Sequence, residues 1–160
     1  MATPPPSPVP QPPRPLPPST EERHLYYYHF LADGRPLLVA RTSTFVFENP
    51  LKPEAIMYPI PIYYTRSTPL KDAWADERSG LMSQVMDAIE EVGVFDSIEP
   101  SHFYMNQETP ETLVISIPPK SMSWNRAIVL ALRCKAMMEE CGIHNVHCEI
   151  RESVYDAYFF

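Results

Sequence analysis

The sequence predicts an α+β domain, on three observations. Leu81, Val85, Ala88 and Val92 recur at steps of four, three and four, with Met82, Met86 and Ile89 widening the same face. Ala127, Ala131, Cys134, Met138 and Cys141 repeat that spacing in a second segment. Between and after them lie short apolar or alternating runs, Leu113–Ile117 and Asn145–Arg151. The first two are helical stripes that each require one buried side; the runs have the length and the twofold alternation of strands.

The elements follow in chain order. Ten of the first 18 residues are proline, so this stretch has no means of building a core and reads as a polyproline-II tail. Residues 1–22 are taken as a disordered tail and 23–160 as one domain. Leu25–Leu31 is aromatic-rich and reads as a strand; Asp33-Gly34 turns the chain, and Leu37–Arg41 returns. Residues 23–53 therefore form a hairpin extension. Pro59 and Pro61 disfavour a ladder, which leaves Ile62–Arg66 as the first strand of the core module, residues 62–154.

Ser79 or Asp76 is placed to cap the first helix and Gly93 to end it. Phe95–Met105 and Leu113–Ile117 follow as strands, and Ser121 or Ser123 caps the second helix, which stops at Gly142. In the last strand Val146, Cys148 and Ile150 face one way, His147, Glu149 and Arg151 the other. From Ile62 onward the order is β-α-β-β-α-β, which predicts a ferredoxin-like split βαβ sandwich with both helices on one side of the sheet and the other face open.

Composition narrows the function classes. The net charge is −7, and four lysines and nine arginines are dispersed without a basic run. Nucleic-acid binding needs cations to displace phosphate counterions, so neither that nor an anionic membrane surface is expected. No apolar run approaches the roughly 18 residues of a membrane span, and proline replaces the layout of a signal peptide. The chain is read as intracellular and cytoplasmic, where three cysteines remain reduced thiols directed into the core.

Cys141, His144, His147 and Cys148 are all metal-capable, but adjacent strand residues point to opposite faces, which spoils a tetrahedron. No metal or other cofactor is expected. The sequence has no Gly-x-Ser-x-Gly elbow, glycine-rich phosphate loop or Walker motif, and no catalytic residue is assigned.

Thr68-Pro69-Leu70 with Trp74, Val92-Gly93-Val94, Cys134-Lys135 and the ending Ile143–Val146 through Ile150-Arg151-Glu152-Ser153 resemble an uncharacterised fungal domain family with an Arg-Glu-Ser signature. Its members often carry a trypsin-like domain downstream, and the resemblance implies no catalytic residues for this chain.

The expected function is a non-enzymatic protein-interaction module; the alternative is a small-molecule-binding regulatory domain or an enzyme on the same fold. Tyr27, Arg151, Glu152, Tyr158, Phe159 and Phe160 form the expected interaction surface, for a protein partner or a homodimer. Arg14 and Pro17 belong to a stretch, Arg-Pro-Leu-Pro-Pro, that suits an aromatic groove of the SH3 kind.

Overall fold

The computed structural model of the chain describes residues 2–28, 36–53, 60–61, 67–104 and 108–153. Its elements are α1 (Thr20–Leu25), β1 (Leu37–Arg41), β2 (Ile60–Pro61), α2 (Pro69–Ala75), α3 (Leu81–Glu90), β3 (Ser97–Tyr104), β4 (Glu111–Ile117), α4 (Trp124–Glu140) and β5 (Val146–Glu152), with a 3-10 turn at Glu77–Ser79.

Local chemistry sets the helix ends. Ser123 Oγ accepts from Arg126 N at the start of α4. At its far end Gly142 takes φ +80°, and its N–H reaches the Glu139 carbonyl while Ile143 N–H reaches that of Met138. This is a Schellman closure, which needs a residue free to turn left-handed. Thr68 caps α2, with Pro69 at its first position.

The sheet order is β1-β5-β4-β3-β2. β5 lies parallel to β4, and the other neighbours are antiparallel. The α+β class holds, and strand, helices, strand, strand, helix, strand follow in the expected order. The pairing departs from the ferredoxin-like split arrangement. There β4 and β5 would be separated by an intervening strand; here α4 carries the chain directly from β4 to its parallel neighbour, a connection that parallel strands require. The strand that precedes the helices, β2, pairs with β3 at one edge of the sheet and β1 pairs with β5 at the other; the expected first strand, Ile62–Arg66, lies outside the described residues.

Leu37–Arg41 is thus an integral strand, not half of a hairpin extension. Residues Thr20–Leu25, expected in part as strand, are helical, and Tyr26–Tyr28 form a turn. Ser19 caps that helix by accepting from Glu22 N at 3.1 Å, with acids in the first turn and bases in the last. These terminal signals prevail over the strand preference of the aromatics.

The main core lies between the sheet and α2–α4. Leu81, Val85, Ala88 and Ile89 of α3 and Ala127, Ala131, Cys134 and Met138 of α4 meet Leu113, Ile115, Cys148 and Ile150. An irregular register between Leu38 and Ala40 turns both Val39 and Ala40 towards this core, while Leu38 joins a second cluster with Tyr26 and Tyr27. All seven residues of β4 are buried. The face away from the helices is therefore covered, not open, because the turn after α1 and the Phe45–Phe47 segment pack onto it. Among the described residues no helix is long and apolar enough to cross a membrane.

Candidate functional site

Two features sit around β1: a polar network sealed on the outer sheet face, and a pair of clefts bordered by the proline tail.

The network centres on Glu149, which β5 directs away from the helices and which is 0% exposed. Tyr26 Oη donates to its Oε2 at 2.5 Å and Tyr27 Oη to its Oε1 at 3.0 Å. The two rings meet edge-on, 5.0 Å between centroids, and Phe45 stacks on Tyr26. Burial pushes the Glu149 carboxyl above its ordinary value, against the opposing effect of the two tyrosine hydrogen bonds and the charges of Arg41 and Arg151. Burial, and then the Glu149 charge, pushes both tyrosines well above the usual phenol range.

Arg41 ties the lid down. Its Nε donates to Glu22 of α1 at 2.6 Å, its Nη1 to the Ser43 carbonyl at 3.0 Å and its Nη2 to the Phe45 carbonyl at 2.7 Å. The guanidinium also lies 4.1 Å from the centre of the Phe45 ring. Beside it, His147 Nδ1 is 3.3 Å from Thr42 Oγ1, which accepts from the Cys148 N–H. Burial, then the nearby Lys135 and Arg41 charges, lowers His147 to about 4.

The clefts flank the tail. The larger, of about 340 Å³, has Val39, Met122 and Trp124 as its apolar lining and Pro17 and Pro18 as one wall; Arg23, Lys120 and Glu152 bring charge to it. Glu152 accepts from Lys120 N at 2.9 Å and lies 3.7 Å from Arg23 Nη2. Lys120 takes φ +59°, in the turn that leads to Ser123 and the first turn of α4. Trp124 Nε1 is buried, with no hydrogen-bond partner among the described residues. The second cleft, of about 290 Å³, runs between Arg14, Leu16 and Pro17 of the tail and Arg41, Phe45 and Phe47 of the domain.

The expected interaction residues are thereby scattered. Tyr27, expected on the surface, is 0% exposed, because its hydroxyl is the partner of a buried acid. Arg151 spans the outer face: it donates to Ser116 Oγ at 2.9 Å, lies 3.7 Å from Glu99 and covers the Tyr27 ring at 5.4 Å. Glu152 borders the larger cleft. Arg14 and Pro17 are exposed and line the tail side of the second cleft. Tyr158, Phe159 and Phe160 lie outside the described residues.

The cysteines divide. Cys134 and Cys148 are buried, and contact with Cys134 together with burial pushes the Cys148 thiol up. Cys141, expected in the core, is exposed, because α4 ends at Glu140 and Cys141 is its C-cap, beyond the last packed turn. Among the described residues no three His, Cys, Asp or Glu side chains are placed to hold a metal ion.

Sequence reasoning missed Glu149, Tyr26, Arg41 and Trp124. Glu149 occupies the polar phase of an alternating strand, which reads as solvated until a lid is known to cover it. The Ser19–Glu22 cap pattern was the available signal for that lid. No family model, curated protein or solved structure matches the chain.

Proposed function

We propose that this chain is a non-enzymatic protein-interaction module that works through its proline-rich tail and the edge of the domain on which that tail rests. One observation carries this reading: Pro17 and Pro18 wall a cleft lined by Val39, Met122 and Trp124, next to strand β1. A polyproline-II segment has its carbonyls free and little conformational entropy left to lose, which suits it to aromatic grooves. Residues 2–14 are exposed and remain available to a partner. The outer sheet face, first expected to be the binding surface, is already used by α1 and its tyrosines. The resemblance to the fungal family enters this proposal without adding a chemistry, and the reading places the protein in the cytoplasm.

The test is affinity capture from native extract with the whole chain and with a version lacking Met1–Pro18. The deletion stops there because Ser19 caps α1 and Glu22 pairs with Arg41. Proteins held by the whole chain and lost from the truncated one support the reading. Identical or empty captures from both, with both folded, refute it.

A further inference from the structure

We propose that residues 10–17 are a polyproline ligand that the domain presents with two of its three sides outward, and that its partner is a domain of the SH3 kind, with an aromatic groove flanked by an acidic side chain. This rests on the interaction-module reading and names the class of partner.

The backbone of the stretch is set by its sequence. Proline fixes φ at about −65°, and a residue that precedes proline is driven to the extended range. Pro12, Pro13, Pro15, Pro17 and Pro18 are prolines, and Gln11, Arg14 and Leu16 each precede one. Every residue from Gln11 to Pro18 is therefore held to polyproline II. Ser19 closes the stretch at φ −65° and ψ 166°, still extended, and caps α1.

The burial pattern says which side is used. A polyproline-II helix has three residues per turn, so residues three apart share a side. Among residues 2–19 only Pro15 and Pro18 are half-buried, and the rest are exposed. These two share one side, and Pro18 walls the Trp124 cleft. Pro10, Pro13 and Leu16 share a second side, on which Leu16 is 78% exposed. Gln11, Arg14 and Pro17 share the third. The chain behind the segment is fixed, because Glu22 of α1 accepts from Arg41 at 2.6 Å and Arg23 Nε donates to the Leu38 carbonyl at 3.2 Å.

The outward sides define the partner. Pro10 and Pro13 form a Pro-x-x-Pro repeat, and Leu16-Pro17 adds an aliphatic side chain and a proline ring, the surface that aromatic grooves take. The carbonyls make no bonds within a polyproline-II helix and accept from the hydroxyl and indole donors of such a groove. Arg14 brings a charge, and its guanidinium donates to the neutral Gln11 Oε1 at 3.3 Å, with no carboxylate partner among the described residues. A carboxylate beside the groove would complete it with charge-assisted bonds. A segment already extended loses little freedom on docking.

The test titrates an isotope-labelled SH3 domain of arginine-led specificity with the full chain and, separately, with a synthetic peptide of residues 10–18, and follows the amide resonances of the SH3 domain. Saturable shifts confined to its aromatic groove are expected from both. In the full chain Arg14→Glu and Leu16→Ser should each weaken binding by at least about tenfold, and Pro15→Ala, on the inward side, by less than about threefold. Circular dichroism of all three variants should match the parent.

No shift from either titrant overturns the ligand. Shifts with the peptide and none with the full chain overturn its presentation by the domain. A Pro15→Ala loss equal to that of Leu16→Ser overturns the assignment of sides, and an Arg14→Glu variant that binds as the parent does overturns the acidic partner. Each of these failures, with tail-dependent capture intact, leaves the interaction-module reading standing with a partner of another kind.

Discussion

Removing the hydroxyls that hold Glu149 should cost stability in a graded and reversible way. Tyr26→Phe keeps the ring, and so the contacts with Tyr27 and Phe45, and deletes only the 2.5 Å donor to a carboxyl that is 0% exposed. A hydrogen bond to a charged buried group contributes about 1.5–3 kcal/mol, so a loss near 2 kcal/mol is expected. Tyr27→Phe removes the longer, 3.0 Å bond and should cost about 1.5 kcal/mol. The two share one acceptor, so their effects should couple. The double variant strands the acid without either donor, and a loss of about 3–5 kcal/mol is expected. Adding Glu149→Leu to that double variant removes the stranded group and should restore at least about 1 kcal/mol, since apolar replacement of a whole buried network is far milder than removal of one side of it. Urea unfolding followed by circular dichroism and tryptophan emission reads these values, with unchanged slopes confirming that the native state is intact. A Tyr26→Phe loss below about 0.5 kcal/mol, or a triple variant no more stable than the double, would refute the view that the network fastens the lid.

Stability should bend with pH around β5 in two opposite senses. His147 is depressed to about 4, so the unfolded chain takes up its proton first and stability is lost as pH falls from about 6.5 towards 4; at most about 3 kcal/mol is at stake, and His147→Gln should flatten that limb of a denaturation series. Glu149 is raised, so its contribution is greatest below the ordinary carboxylate range and fades as pH rises through its folded value, a slope that Glu149→Gln should remove. Cys141 should label in the native state, and Cys134 and Cys148 only in denaturant, as mass spectrometry after brief alkylation would show; fast labelling of all three would contradict the buried pair. Deleting Met1–Pro18 removes the wall formed by Pro17 and Pro18 and should lower the thermal midpoint by a few degrees, about 1 kcal/mol; an unchanged midpoint would mean the tail adds nothing to the fold.

The sequence by itself determined the elements whose signals are local. The Leu81 and Ala127 stripes, the Ser123 cap, the Gly142 stop and the alternation of Val146, Cys148 and Ile150 each depend on residues within one or two turns of one another, and each element formed within a few residues of its expected bounds. The α+β class followed from their order. Where one local preference met another, the choice was harder to see: Leu25 and the three tyrosines favour strand, yet Ser19 and Glu22 start a helix that consumes Leu25 and ends at Tyr26. Only the tertiary structure decided pairing and burial. Strand order depends on contacts between residues more than a hundred positions apart, as Tyr26 and Glu149 are, and identical alternation serves a central or an edge strand equally. For the same reason Glu149 and Tyr27 looked like surface residues. Their exposure is set by α1 and the Phe45–Phe47 segment closing over the sheet, an event that leaves no periodic mark on β5 itself.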